Sequence, residues 1–107
     1  MPIDDTMKIT RACEFFNGSE HPATLAGVAR SLGAPTATVR SSANESSVVL
    51  VTVAWELSWY CFEVDLADDE RAVTMIARGT DLADLPVEHR IENATVDGQG
   101  HLQLGSA

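Results

Sequence analysis

The feature that most constrains the fold is one apolar stretch, residues 48–66, which reads VVLVTVAWELSWYCFEVDL. It contains the densest run of β-branched residues in the chain, and such residues favour strands. A single strand of this length is uncommon, since most strands have about three to ten residues. We therefore predict that the stretch folds back on itself as a β-hairpin, with one bent strand as the alternative.

The alternation of side chains places the turn of this hairpin. Val51 and Val53 lie on the more apolar face before the turn, and Tyr60 and Phe62 lie on the more apolar face after it. A turn within residues 55–58 pairs Val53 with Tyr60 and Val51 with Phe62, which makes one face of both strands apolar. Because this segment lacks Gly and Asn, we predict a four-residue loop rather than a tight two-residue turn.

Two short amphipathic helices are predicted before the sheet. Residues 5–16 repeat apolar side chains at three-residue spacing after an acidic first turn, and the turn sequence Asn17-Gly18 ends them. A second helix opens around Pro22, since proline is favoured in the first turn, and Gly33 closes it. We expect both helices to cover the apolar face of the hairpin.

The remaining segments predict further strands. Residues 36–39 are rich in β-branched side chains, residues 71–78 follow a charged loop, and residues 93–104 are typical of a terminal hairpin. Residues 82–86 predict a short helical turn. Residues 1–107 should therefore form a single α+β domain, with two N-terminal helices packed on an antiparallel, mostly meander sheet of four to six strands.

Composition and charge narrow the function classes. The hydrophobic fraction of 45% and the charged fraction of 21% are those of a globular protein. The start of the chain lacks an apolar leader, and no run of about 18 apolar residues occurs, so we expect a cytoplasmic protein with no membrane partner and two reduced thiols, Cys13 and Cys61. Net charge is −9, and residues 55–107 hold eleven acids against three bases. This charge repels nucleic acid and anionic membranes, and it favours solubility or a basic protein partner; an ordinary solvated acidic surface is the competing interpretation.

Residues 24–40, TLAGVARSLGAPTATVR, resemble a helix-turn-helix unit, with Ala29, Gly33 and Val39 at the spacing of that motif. The resemblance implies a winged-helix-like DNA-binding regulator whose recognition helix faces the major groove with Thr36, Thr38 and Arg40. Two features oppose it. The β-branched residues at 36–39 favour a strand, and the chain lacks a basic surface.

No motif predicts a metal, a cofactor or a catalytic centre. The acids near residues 65–70 lack the spacing and the glycine of an EF-hand, and the three histidines are scattered. Serine-hydrolase, phosphate-loop and dinucleotide motifs do not occur. The sequence thus offers no argument for an enzyme.

The candidate site consists of the aromatic set and the second face of the hairpin. Tryptophan and tyrosine are enriched at interfaces, and the second face is half apolar and half acidic with no obvious cover. We expect a small non-catalytic interaction module, a homodimer or an adaptor or chaperone-like protein, using Trp55, Trp59, Tyr60, Glu63 and Leu50. The alternatives are the DNA-binding regulator and a small-ligand binder or small enzyme with an aromatic-lined pocket; for each aromatic residue, ordinary core packing is the competing interpretation.

Overall fold

The fold is α+β, as predicted. The structure, a computed structural model, describes residues 5–42, 47–67, 73–85 and 93–104. Its elements in chain order are α1 (Asp5–Asn17), α2 (His21–Leu32), β1 (Thr36–Ser41), β2 (Val48–Trp55), β3 (Ser58–Asp65), β4 (Val73–Gly79), a 3₁₀ turn (Leu82–Asp84), β5 (Ala94–Val96) and β6 (Leu102–Leu104).

The strands form one antiparallel sheet in the order β4-β3-β2-β1-β5-β6. Strands β1 to β4 are a meander, and the β5–β6 hairpin joins the sheet beside β1 through the pair Ala37↔Ala94. The C-terminal hairpin therefore widens the sheet and does not cover its second face. Asn93 lies just before β5, and its side chain forms two hydrogen bonds of 2.8 Å with the backbone of β1. It accepts one from the Val39 amide and donates one to the Val39 carbonyl.

The register of the β2–β3 hairpin is the predicted one, with Val53 opposite Tyr60 and Val51 opposite Phe62. A shift of one residue would turn every apolar side chain of one strand to the other face, so burial of this face specifies the register.

The turn of this hairpin differs from the prediction. Pairing continues to Trp55↔Ser58, which leaves a two-residue turn of Glu56 and Leu57. The expected four-residue loop is wrong because cross-strand pairing extends further than the turn composition indicated. The described part of the chain has no non-glycine residue with positive φ, so this turn is neither of the primed types that require Gly or Asn.

Both helices lie on one face of the sheet and enclose the main core. Phe16 of α1 makes an edge contact with Phe62 at 5.1 Å between ring centroids, and Leu25 of α2 is completely buried. The sheet contributes its regularly alternating apolar positions to this core, among them Val39, Val49, Val51, Val53, Val64 and Ala94. Burial of this helix-facing layer is the main stabilising term that the structure shows.

The part of the second face around Trp59 is covered, although the sequence offered no obvious cover there. Leu85 follows the 3₁₀ turn and packs against Ala54, Trp59 and Cys61. Trp59 is only 8% exposed, and its indole N–H donates to the Asp81 carbonyl at 3.0 Å. The expectation of an open face around Trp59 is therefore wrong. Leu85 lies in the short segment DLADLPV, which is too short for a repeat of apolar residues that would mark it as a cover.

The two cysteines are free and buried. Cys13 lies in the helix-facing core, and Cys61 lies under Leu85 on the other side of the sheet. The sheet thus separates them, in agreement with the prediction of two reduced thiols. In the described part of the chain, no helix is long and apolar enough to cross a membrane.

Candidate interaction site

Two exposed leucines line one hollow at an end of the sheet. Among the described residues, three large hydrophobic side chains are substantially exposed: Leu57 at 70%, Ile76 at 50% and Leu32 at 44%. Leu32 and Leu57 line the same hollow of about 170 Å³, together with Ala34, Trp55 and Glu56. We call this site the leucine hollow. Ile76 lies apart from it on β4.

The C-terminal end of α2 forms one wall of the leucine hollow. Leu32 is the last residue of α2, and Gly33 follows with a positive φ of 86° while its N–H donates to the Ala29 carbonyl at 2.9 Å. The Gly33 carbonyl accepts a hydrogen bond of 2.7 Å from the Trp55 indole. Because Trp55 is 4% exposed, it serves as a fixed floor and ties the helix end to the end of β2.

The β2–β3 turn forms the opposite wall. Turn positions are mostly polar, since Gly, Asn, Asp and Ser satisfy the backbone there. Leu57 occupies such a position, and most of its side chain faces water. The turn thus presents an apolar side chain with no role in the core.

The electrostatics of the hollow are acidic. Glu56 is the charged residue among its five lining residues, and it is exposed. The chain as a whole carries −9. A cation beside an apolar side chain would therefore complement the rim of the hollow.

A second cavity adjoins the aromatic floor. It measures about 360 Å³ and is lined by Ser58, Tyr60, Arg78, Gly79 and Thr80. The Tyr60 ring meets Trp55 edge-on, with 5.9 Å between centroids. We call this site the hydroxyl pocket, since three of its five lining residues carry hydroxyl groups.

A third cavity, of about 260 Å³, lies between α2 and the β5–β6 turn and has Arg30 and Asp97 in its lining. The Asp97 carboxylate already accepts from the amides of Gln99 and His101, both at 2.9 Å, and lies 3.8 Å from the His101 ring. Those bonds, the His101 amide first, hold the pKa of Asp97 below its usual value. Asp97 therefore organises its own turn.

The predicted site residues fall into separate groups and do not form one site. Trp55 and Tyr60 lie at the end of the sheet that carries both cavities, whereas Trp59 is buried on the second face. Leu50 and Glu63 are cross-strand partners on that second face and are half-buried. The sequence analysis missed Leu32, Leu57 and Arg78, although a leucine in a hairpin turn was a signal available in the sequence.

The recognition helix implied by the helix-turn-helix resemblance does not form. Thr36, Thr38 and Arg40 belong to β1 and pair with β2, so the winged-helix geometry is wrong for these residues. Thr38 is buried. Thr36, Thr38 and Val39 are β-branched, and this composition and the pairing of all six β1 residues with β2 account for the strand.

Neither cysteine is suited to nucleophilic chemistry. Burial, followed by the charge of Glu14, raises the pKa of the Cys13 thiol to about 11. Burial is also the largest cause that raises the pKa of the Cys61 thiol, which bonds Thr52 at 3.7 Å. Reactive cysteines are exposed and have a lowered pKa. Among the described residues, no three metal-ligating side chains cluster.

Comparisons with known protein families, with curated proteins and with solved structures found no significant match.

Proposed function

We propose that this chain is a non-catalytic protein-interaction module that accepts an apolar side chain of a partner protein in the leucine hollow. The observation that carries the proposal is the pair of exposed leucines, Leu32 and Leu57, facing one hollow above a buried tryptophan. The core of a protein interface is more apolar than the rest of the surface and is enriched in aromatic residues. An adaptor or chaperone-like role follows from this kind of contact.

The negative charge at the rim of the leucine hollow indicates which residues a partner would place there. Glu56 favours a lysine or arginine next to the apolar anchor, and the net charge of −9 steers basic segments towards the chain. The same charge opposes the approach of a second copy. We therefore assign the hollow to a different protein with a basic, apolar segment, and the homodimer becomes the competing outcome.

The test is a selection from a random peptide library on the immobilised protein. We expect enrichment of peptides with a large apolar residue beside a lysine or arginine. Binding of these peptides should be lost on Leu57→Lys or Leu32→Lys, because a charged side chain fills the hollow and repels the basic partner. Ile76→Lys is the matched control, since it puts the same charge on an apolar side chain elsewhere whose exposure, 50%, lies between those of Leu32 and Leu57.

Two results would overturn the assignment. Peptides that bind the Leu57→Lys protein as tightly as the unaltered protein would show that the hollow is not the docking site. A concentration-dependent dimer by light scattering that Leu57→Lys dissociates would replace the basic partner with a second copy of the chain.

A further inference from the structure

We infer that the hydroxyl pocket binds a small organic anion, with its carboxylate or phosphate group held by the Arg78 guanidinium. This inference is independent of the leucine hollow and adds a small-molecule site to a chain proposed to bind protein. It rests on the lining of the pocket, on the position of Arg78 within the sheet and on the way the neighbouring backbone is held.

The lining of the pocket supplies hydrogen-bond donors. Arg78 presents five N–H groups in a planar fork, and Ser58, Tyr60 and Thr80 add hydroxyl groups. None of the five lining residues is a carboxylate. Among the described residues, the one ion pair joins His101 and Asp97, so no described acid forms an ion pair with Arg78.

The sheet sets Arg78 beside the pocket floor. Tyr60 and Arg78 are direct partners in the β3–β4 register, so their side chains leave the sheet on the same side. Tyr60 in turn rests edge-on against Trp55 at 5.9 Å. An anion bound by Arg78 therefore has an aromatic ring directly next to it.

The backbone beyond Arg78 is held from the other side of the sheet. A Cβ at Gly79 would lie 2.6 Å from the Trp59 ring, so glycine is required for this close contact. The Trp59 indole also donates to the Asp81 carbonyl at 3.0 Å. These two contacts involve the residues on either side of Thr80 and therefore restrain the backbone at Thr80. Such preorganisation lowers the entropic cost of binding.

The class of ligand follows from these groups. A guanidinium fork pairs bidentately with carboxylate or phosphate, and hydroxyl groups satisfy the remaining oxygen lone pairs. The volume of about 360 Å³ lies at the lower end of the range for small-molecule sites. With an aromatic wall beside the cation, the pocket suits an anion that carries a small organic body.

The experiment is an NMR titration of the ¹⁵N-labelled protein with benzoate, inorganic phosphate and neutral benzyl alcohol. We expect benzoate to shift the amides of Ser58, Gly79 and Thr80 in a saturable manner, while the distant Leu102 amide stays in place. Phosphate should act on the same amides more weakly, since it lacks the organic body. Benzyl alcohol should not saturate the site.

Matched variants separate the pocket from general charge effects. Arg78→Gln should weaken benzoate binding by about tenfold or more, because the bidentate charged contact is lost. Arg40→Gln removes an exposed arginine on the other face of the sheet and should leave binding unchanged. Tyr60→Phe should weaken binding by a smaller factor.

Several results would overturn the inference. The first is that the Arg78→Gln protein binds benzoate as tightly as the unaltered protein does. The second is that benzyl alcohol binds as tightly as benzoate. The third is that neither anion gives a saturable shift. Phosphate binding without benzoate binding would contradict the organic part of the assignment. None of these results affects the peptide selection at the leucine hollow, so the two proposals fail separately.

Discussion

At the scale of single residues, two asparagine side chains form the pair of hydrogen bonds that a neighbouring strand would otherwise form with the backbone. Asn17, the last residue of α1, donates to the Leu102 carbonyl at 3.1 Å and accepts from the Leu102 amide at 2.7 Å. The Asn93 side chain forms the same pair of hydrogen bonds with the Val39 amide and carbonyl. The sequence suggested only a turn at Asn17-Gly18, since a partner 85 positions away leaves no local pattern.

Replacing Asn17 with alanine should destabilise the fold by about 1–3 kcal/mol, because both backbone groups of Leu102 lose their partner. Asn17→Asp should also destabilise, since a carboxylate cannot donate to the Leu102 carbonyl. Gln103→Ala, on an exposed neighbour, is the control. Urea denaturation measures the difference, and equal midpoints for Asn17→Ala and Gln103→Ala would contradict this role of the Asn17 side chain.

We expect alanine substitutions at Gly100 and Gly27 to change the stability of the protein in opposite directions. Gly100 has a φ of +83°, and a Cβ there would clash with the Pro22 carbonyl, so Gly100→Ala should cost about 2 kcal/mol or more. Gly27 lies exposed within α2 with no atom within 4 Å of its added Cβ. Gly27→Ala should stabilise by about 0.5–1 kcal/mol. Thermal unfolding of both variants checks the signs, and a destabilised Gly27→Ala protein would contradict the packing described.

The buried thiols predict a loss of stability at high pH. Burial raises the pKa of Cys13 from 9.0 to about 11, so an unfolded thiol ionises before the folded one does. The unfolded state therefore binds fewer protons in this range, and stability should fall as the pH rises from about 9 to about 11. Urea midpoints across that range should fall less steeply for Cys13→Ala. Identical slopes in the two proteins would contradict the assignment.

At the scale of elements, the parts that burial specifies were predictable. The β2–β3 register followed from the parity of its apolar residues, because a one-residue slip exposes a whole face. The helices and the C-terminal hairpin likewise followed from periodicity and turn residues. The two-residue turn and the cover formed by Leu85 were not predictable, since they depend on contacts between segments distant in sequence.

The junction of α2 and β2 depends on one hydrogen bond. The Trp55 indole donates to the Gly33 carbonyl at 2.7 Å, at the point where the helix ends. Trp55→Phe removes this donor and should cost about 1–2 kcal/mol, with the last turn of α2 most affected. Hydrogen exchange at the Gly33 amide, which bonds the Ala29 carbonyl, should accelerate. Unchanged protection of that amide would show that the junction does not depend on the indole.

At the scale of the whole molecule, the sheet separates two kinds of aromatic residue. Trp59 packs under Leu85 on the second face, while Trp55 and Tyr60 lie beside the two cavities at the end of the sheet. The alternation of side chains in the sequence predicted this division between the two faces, but it did not predict that Leu85 covers Trp59. The exposed leucines at the helix end and the turn come together only in the folded chain.

The most direct test of the interaction proposal is a quantitative capture from cell lysate with three forms of the protein. The unaltered chain, Leu57→Lys and Ile76→Lys are compared by mass spectrometry after each is shown to be folded by circular dichroism. We predict a partner with a basic, apolar segment that is retained by Ile76→Lys and lost with Leu57→Lys. The same partners in equal amounts on all three forms would contradict the role of the leucine hollow.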